Sequence, residues 1–273
     1  MAIPFMTLAH AADASSDASS WDGDSRSAMR LIGAKTLDQG GAVFFRAGVE
    51  LRLAPGWKTY WRYPGDSGVP PRFEFEQSEN VKSVTVLWPA PLRFNDAEGT
   101  TIGYKNNVVF PLRIEAKDAS KPVTLRVKLD YAVCERLCVP VEGKADLALD
   151  GTAGANDAAL STAEAAVPKP QALRASAPLS LRNVVPDHGS KPARIFIDVA
   201  APKDTPVTLF AEGPAPDWSL PLPDPVDGAA DPQLKRFAVV LDGIPSGASA
   251  KGAVLKITAV AGGQAIETSV PLD

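Results

Sequence analysis

Val43, Phe45, Ala47, Val49, Leu51 and Leu53 occupy alternate positions, and Pro55-Gly56 ends the run. Alternation with period two marks a strand with one buried face, whereas a surface helix repeats its apolar residues every three or four positions. Similar runs recur at Val81–Leu87, Val108–Ile114 and Val123–Val133, separated by clusters of Pro, Gly, Asn and Asp. With 25 prolines and 21 glycines, the chain is interrupted often enough to keep such strands short. Helical periodicity is nearly absent, so the expectation is an all-β chain, with a β-sandwich over residues 28–150.

Beyond Gly151 the pattern changes. Asn156 or Asp157 is placed to cap a short alanine-rich helix over 158–166, which Pro168 and Pro170 would end. Residues 151–175 are therefore expected to form a helical connector. Alternation resumes at Arg194–Val199, Val207–Phe210, Phe237–Leu241 and Val254–Val260, which implies a second, smaller β-sandwich over 176–273. Pro214 to Pro232, around Trp218, reads as a long loop.

The N-terminus bears on location. Met1–Leu8 is apolar and is followed by Ala9-His10-Ala11, a small-residue pattern of the kind signal peptidase reads. Residues 1–12 are read as the tail of a signal peptide, with a disordered alanine-rich N-terminus as the alternative. The Ser/Asp/Ala-rich stretch 13–27 is expected to be disordered. Export to the periplasm follows from the first reading. A net charge of −4 and the lack of any basic run argue against nucleic acid and anionic membranes as partners. No apolar run approaches the roughly 20 residues that span a bilayer.

Two cysteines, Cys134 and Cys138, cannot staple so long a chain, which has apolar residues enough for a core of its own. On a straight strand they would lie roughly 13 Å apart, too far for a disulfide. The backbone must turn through Glu135-Arg136-Leu137, as a hairpin end or as one helical turn. A loop this short adds little entropic stabilisation, so the pair suits reversible exchange, with one thiolate attacking and the other resolving the mixed disulfide. The structural alternative is a hairpin disulfide in a non-catalytic protein-binding module. Arg136 would lower a neighbouring thiol pKa and Glu135 would raise it. A metal site is not expected, because two thiols are too few ligands and no further Cys or His stands nearby; no cofactor is implied. A copper site is poorly supplied, because Met1, Met6 and Met29 are all N-terminal. Trp57, Tyr60, Trp61 and Tyr63 read chiefly as core or corner packing, with a ligand platform or partner-docking face as the alternative, and Lys58 and Arg62 reaching to the surface beside them.

The run Tyr131-x-x-Cys134-x-x-x-Cys138-x-Pro140-x-Glu142 resembles the active segment of the N-terminal periplasmic domain family of the thiol:disulfide interchange protein DsbD. The segment from Pro55-Gly56-Trp57-Lys58-Thr59-Tyr60-Trp61 to Gly68 is similar to that family too, including its relatives associated with copper tolerance. Trp88-Pro89-x-Pro91 and Gly103-Tyr104-Lys105 continue the likeness. The resemblance implies an immunoglobulin-like sandwich in which Cys134 and Cys138 form a dithiol–disulfide couple, as a component of a protein-disulfide reductase. A membrane-embedded or thioredoxin-like reductant, on a separate polypeptide, would supply electrons for periplasmic disulfide proteins. It also implies a cap loop over the cysteines, placed here between Pro91 and Tyr104 with Phe94 as the shield. Tyr104 and Tyr131 join Phe94 as capping or docking residues. The best-known members carry five residues between the cysteines, and this chain carries three.

Overall fold

The computed structural model describes residues 17–272, apart from 41, 66–67, 97–98, 153, 188 and 230. The signal peptide expected over 1–12 lies outside the described residues.

The first unit contains β1 (Asp22–Gly23), β2 (Ser27–Gln39), β3 (Ala42–Leu53), β4 (Lys58–Gly65), β5 (Arg72–Glu74), β6 (Val81–Val86), β7 (Leu92–Asp96), β8 (Gly99–Lys105), β9 (Asn107–Ala116), β10 (Val123–Cys134) and β11 (Cys138–Leu149). Helix α1 (Asp157–Ala165) follows. The second unit contains β12 (Lys169–Pro170), β13 (Ser180–Asp187), β14 (Arg194–Ala200), β15 (Val207–Glu212), β16 (Asp224–Val226), β17 (Lys235–Val240), β18 (Val254–Ala261) and β19 (Gln264–Pro271). Two sheets form the first sandwich, in the orders β1-β2-β3-β9-β6 and β11-β10-β4-β8-β7, with β5 also on β10. Two further sheets, β12-β19-β18-β15 and β13-β14-β17-β16, form the second. The chain is all-β and immunoglobulin-like, with pairing antiparallel throughout except between β12 and β19.

The period-two pattern translates directly into burial. Phe45, Ala47, Val49, Leu51 and Leu53 of β3 face a core completed by Phe110, Leu112 and Ile114 of β9 and by Leu125, Leu129 and Val133 of β10. Val43, which begins the run, is 43% exposed. The second core draws on Ile195, Ile197 and Val199 of β14, Val239 of β17 and Leu255 and Ile257 of β18. β15 serves both cores. Leu209 and Ala211 point into the second, and Phe210 between them packs into the first.

Residues 17–27 are not the disordered stretch expected. Ala18 bridges to Ile32, and Asp22–Gly23 pairs with Ala28–Met29. Polar side chains of this stretch satisfy the backbone. Ser19 Oγ accepts from Leu31 N–H at 2.9 Å and Asp24 Oδ1 from Arg26 N–H at 2.8 Å. The Arg30 and Arg52 guanidinium groups lie over the Trp21 ring, 4.5 and 4.6 Å from its centre.

The alanine-rich helix packs against the first sandwich. Leu160 is buried with Ile32 and Ala34, and Arg46 donates to Glu164 at 3.0 and 2.8 Å. A Cβ on Gly48 would lie 2.7 Å from Leu160 Cδ1, so glycine there makes room for the helix. Asn156 sits at the N-cap position without capping; its amide donates to the Asp17 and Gly33 carbonyls. The segment expected as a cap loop, 91–104, is largely the β7–β8 hairpin. No helix among the described residues is long and apolar enough to cross a membrane.

Candidate functional site

Of the two turns open to Cys134 and Cys138, the chain takes the hairpin. β10 ends at Cys134, β11 begins at Cys138, and the two residues form the last rung of the ladder, with Cα atoms 4.2 Å apart and a disulfide between them. Glu135, Arg136 and Leu137 form the exposed tip, with Leu137 79% exposed. Both charges therefore act on the sulfurs through solvent, where salt screens them.

The two sulfurs are not equivalent. Cys134 is 2% exposed, whereas Cys138 is an exposed residue. Burial of Cys134 comes from β4, which runs beside β10 with Lys58 opposite Cys134 and Thr59 opposite Val133. Thr59 Oγ1 donates to the Ala132 carbonyl at 2.8 Å and fixes this junction. Tyr60 then covers the disulfide, its hydroxyl 2.8 Å from Cys134 Sγ and 3.1 Å from Cys138 Sγ. Tyr60, Ala132 and Cys134 form a small buried cluster of their own. A phenol O–H can donate to sulfur, and it does so most strongly when that sulfur is a thiolate.

Gly103 lets β4 and β8 approach here. A Cβ at this position would lie 1.9 Å from the Thr59 carbonyl oxygen, so any larger residue would displace the strand that carries Tyr60. This gives a physical reason for the glycine in Gly103-Tyr104-Lys105.

The sequence-predicted residues separate. Phe94 is on β7, three strands from β10 in the sheet order. Its ring lies over Lys58 Nζ at 5.7 Å, and the aromatic ring at the sulfurs is that of Tyr60. Tyr104 is buried, donates to the Pro89 carbonyl at 2.9 Å and packs edge-on to Phe110. Burial pushes its phenol pKa well above the usual range. Tyr131 faces the first core, its hydroxyl 2.9 Å from Ser27 Oγ, with its pKa also raised by burial. Neither tyrosine touches the disulfide by these contacts.

The aromatic run divides as well. Trp61 is fully buried in the first core, while Tyr60 belongs to the disulfide. Tyr60 was legible only as one aromatic among four, because nothing in its spacing from Cys134 marks it. Arg62 is only partly exposed, and its guanidinium is held by carboxylates. It is paired with Glu212 at 2.9 and 2.8 Å and with Glu267 at 2.5 Å. Burial acts to lower the Arg62 pKa, but the two carboxylates outweigh it and hold the guanidinium above its usual range.

A groove of about 670 Å³ runs beside the open sulfur, lined by Cys138, Pro140, Val141, Ala132, Val69 and Pro70. Arg72, Asp130 and Glu142 also border it, as does Tyr131, one of the residues expected at a docking surface. A second thiol can thus approach Cys138 along an apolar surface, while Cys134 stays covered.

A β-sandwich that presents such a disulfide at a hairpin end, one sulfur open and the other held under a tyrosine hydroxyl, is a thiol–disulfide exchange module. Residues 39–150 match the family model of the N-terminal domain of the thiol:disulfide interchange protein DsbD. Both cysteines, Tyr60 and Gly103 lie within the matched segment. The fold of the whole chain is similar to the crystal structure of the N-terminal periplasmic domain of ScsB from Proteus mirabilis, at 21% identity and a TM-score of 0.71. That match covers 94% of this chain and 98% of the other, so the likeness of fold extends through both sandwiches. Among curated proteins, none matches the chain.

Proposed function

We propose that this protein is a periplasmic electron carrier, passing two electrons from a membrane-embedded or thioredoxin-like reductant to periplasmic disulfide proteins through Cys134 and Cys138. The observation that carries this reading is the unequal exposure of the two cysteines, whose sulfurs both lie within reach of one tyrosine hydroxyl. Exchange requires one accessible sulfur for attack and one held in reserve.

In the oxidised state a donor thiolate attacks Cys138 Sγ. The Cys134–Cys138 bond breaks, a donor–Cys138 disulfide forms, and Cys134 leaves as a thiolate. The Tyr60 hydroxyl donates to that thiolate, and a hydrogen bond to a charged group contributes about 1.5–3 kcal/mol. The donor's second thiolate then attacks its own sulfur in the mixed disulfide and releases Cys138 as a thiolate. The donor departs oxidised; the protein holds two more electrons, and protons come from solvent. In the second half, the Cys138 thiolate attacks an acceptor disulfide and expels one acceptor thiolate. Cys134 then attacks Cys138 Sγ, expels the other acceptor thiolate and restores the starting bond.

The reduction potential of the couple, measured by equilibration in glutathione buffers, tests this reading. Structural disulfides of secreted proteins lie below about −300 mV. A value above that line supports electron transfer. A value well below it, together with no exchange with a thioredoxin-like reductant, would leave a hairpin clip in a protein-binding module.

A further inference from the structure

We infer that the second sandwich sets the reactivity of the Cys134–Cys138 pair by clamping the segment of β4 that follows Tyr60, with Arg62 as the positioning residue. The inference rests on the exchange reading above and assigns the second sandwich a part in it.

Tyr60 occupies the last rung before β4 leaves its ladder. It pairs with Gly103 of β8, and the next pair is Gly65 with Thr101, so four residues, 61–64, stand opposite Ile102 alone. On its other side β4 is paired with β10 only at Lys58 and Thr59. The backbone just after Tyr60 is thus a bulge, where strand pairing no longer dictates direction. What holds the bulge decides how the Tyr60 ring enters the site.

The second sandwich holds it at three consecutive residues. Trp61 packs against Phe210 of β15, ring centres 5.6 Å apart. The Arg62 guanidinium is bound in a fork by Glu212 of β15 and also meets Glu267 of β19. The Tyr63 hydroxyl donates to the Leu220 carbonyl at 3.0 Å. The Arg62 guanidinium also lies over the Trp61 ring, 4.5 Å from its centre, which ties the first two contacts together. A forked, stacked arginine fixes orientation in a way that a point charge on a flexible stem does not. Phe210, Leu222 and Val260 extend the apolar contact from the second unit into the first core. Tyr60, which touches both sulfurs, is therefore adjacent in sequence to residues whose positions the other sandwich determines.

The test uses the full chain and reads two quantities: the second-order rate of disulfide reduction by dithiothreitol, and the equilibrium constant against glutathione. The variants are Tyr60→Phe, Arg62→Met and the double variant, with urea unfolding as a check on folding. Arg62→Met is expected to slow reduction and shift the equilibrium toward the disulfide by about 3- to 30-fold, the range of couplings carried through packed neighbours. In the Tyr60→Phe background the same substitution should change either quantity by less than about twofold, because the group it positions is already gone. Should Arg62→Met not fold, Glu212→Gln keeps the side-chain shape, removes one charge of the clamp and is read in the same way. Wild-type values in the single variant, or an undiminished effect in the double, would overturn the inference while leaving the exchange reading intact. A wild-type disulfide inert to dithiothreitol would overturn the exchange reading first, and the inference with it.

Discussion

The Tyr60 hydroxyl lies 2.8 Å from Cys134 Sγ and 3.1 Å from Cys138 Sγ, although 74 and 78 positions separate these residues in the chain. One group is thereby placed at both ends of the bond that thiol–disulfide exchange breaks and remakes. Its closer partner is the buried sulfur, the one that leaves when Cys138 is attacked. Tyr60→Phe removes only the hydroxyl and keeps the ring that covers Cys134. Reduction by dithiothreitol should slow by about tenfold or more, the loss expected for a hydrogen bond to a developing thiolate. Stopped-flow rates measure this; an unchanged rate would remove Tyr60 from the chemistry.

The difference in exposure predicts unequal trapping. Cys134→Ser leaves the exposed Cys138 thiol without its resolving partner, so mixed disulfides with partner proteins should accumulate. Cys138→Ser leaves only the covered Cys134, and trapping should fall by about tenfold or more, since exchange depends on access to the attacking thiol. Non-reducing gels of periplasmic extracts would show the contrast. Equal adduct from both variants would contradict the assignment of Cys138 as the point of attack.

Gly103→Ala should be costly because the added methyl has nowhere to go. Its position lies 1.9 Å from the Thr59 carbonyl oxygen and 2.9 Å from Tyr60 Cα. Overpacking of this kind costs about 1–3 kcal/mol, and the strand displaced is the one that brings Tyr60 to the sulfurs. Urea unfolding should show the loss of stability, and reduction kinetics a change in the site. A variant unchanged in both would mean that β8 moves aside freely.

Asp198 and Arg236 stand directly opposite each other on β14 and β17. Asp198 is buried and accepts from the Arg236 guanidinium at 2.6 and 2.9 Å and from Asn183 at 3.2 Å. The arginine, and then Asn183, hold the Asp198 pKa below its usual value, against the opposing effect of burial. Because the folded pKa is the lower one, the stabilisation is complete above the unfolded value of about 3.9 and is lost as pH falls through the folded value. Asp198→Asn should cost about 3 kcal/mol near neutral pH, where it leaves a partly buried arginine without its counter-charge. The gap between variant and wild type should narrow below about pH 4. Urea unfolding at a series of pH values checks this; a gap constant down to pH 3 would show that the pair does not carry it.

The sequence determined the faces of the strands and the need for a turn between the cysteines. Both are local: alternation fixes which side of β3, β9 or β10 is apolar, and three intervening residues forbid a straight strand between bonded sulfurs. Tertiary structure decided the hairpin over the helical turn, because the chain returns as β11 in full register with β10. It also decided which sulfur is covered, since that depends on β4 docking beside β10. Phe94 was expected at the sulfurs on the strength of resemblance; two strands separate its strand from the cysteine strand in the order β10-β4-β8-β7, and its ring meets Lys58, the residue opposite Cys134. The Arg62 side chain carried no local signal of its place, because its carboxylate partners lie 150 and 205 positions away. Hydrophobic periodicity repeats every two residues and survives in any short window of sequence. A hydrogen bond or ion pair between distant strands belongs to a single arrangement of the whole chain, and only the packed fold brings its partners within reach.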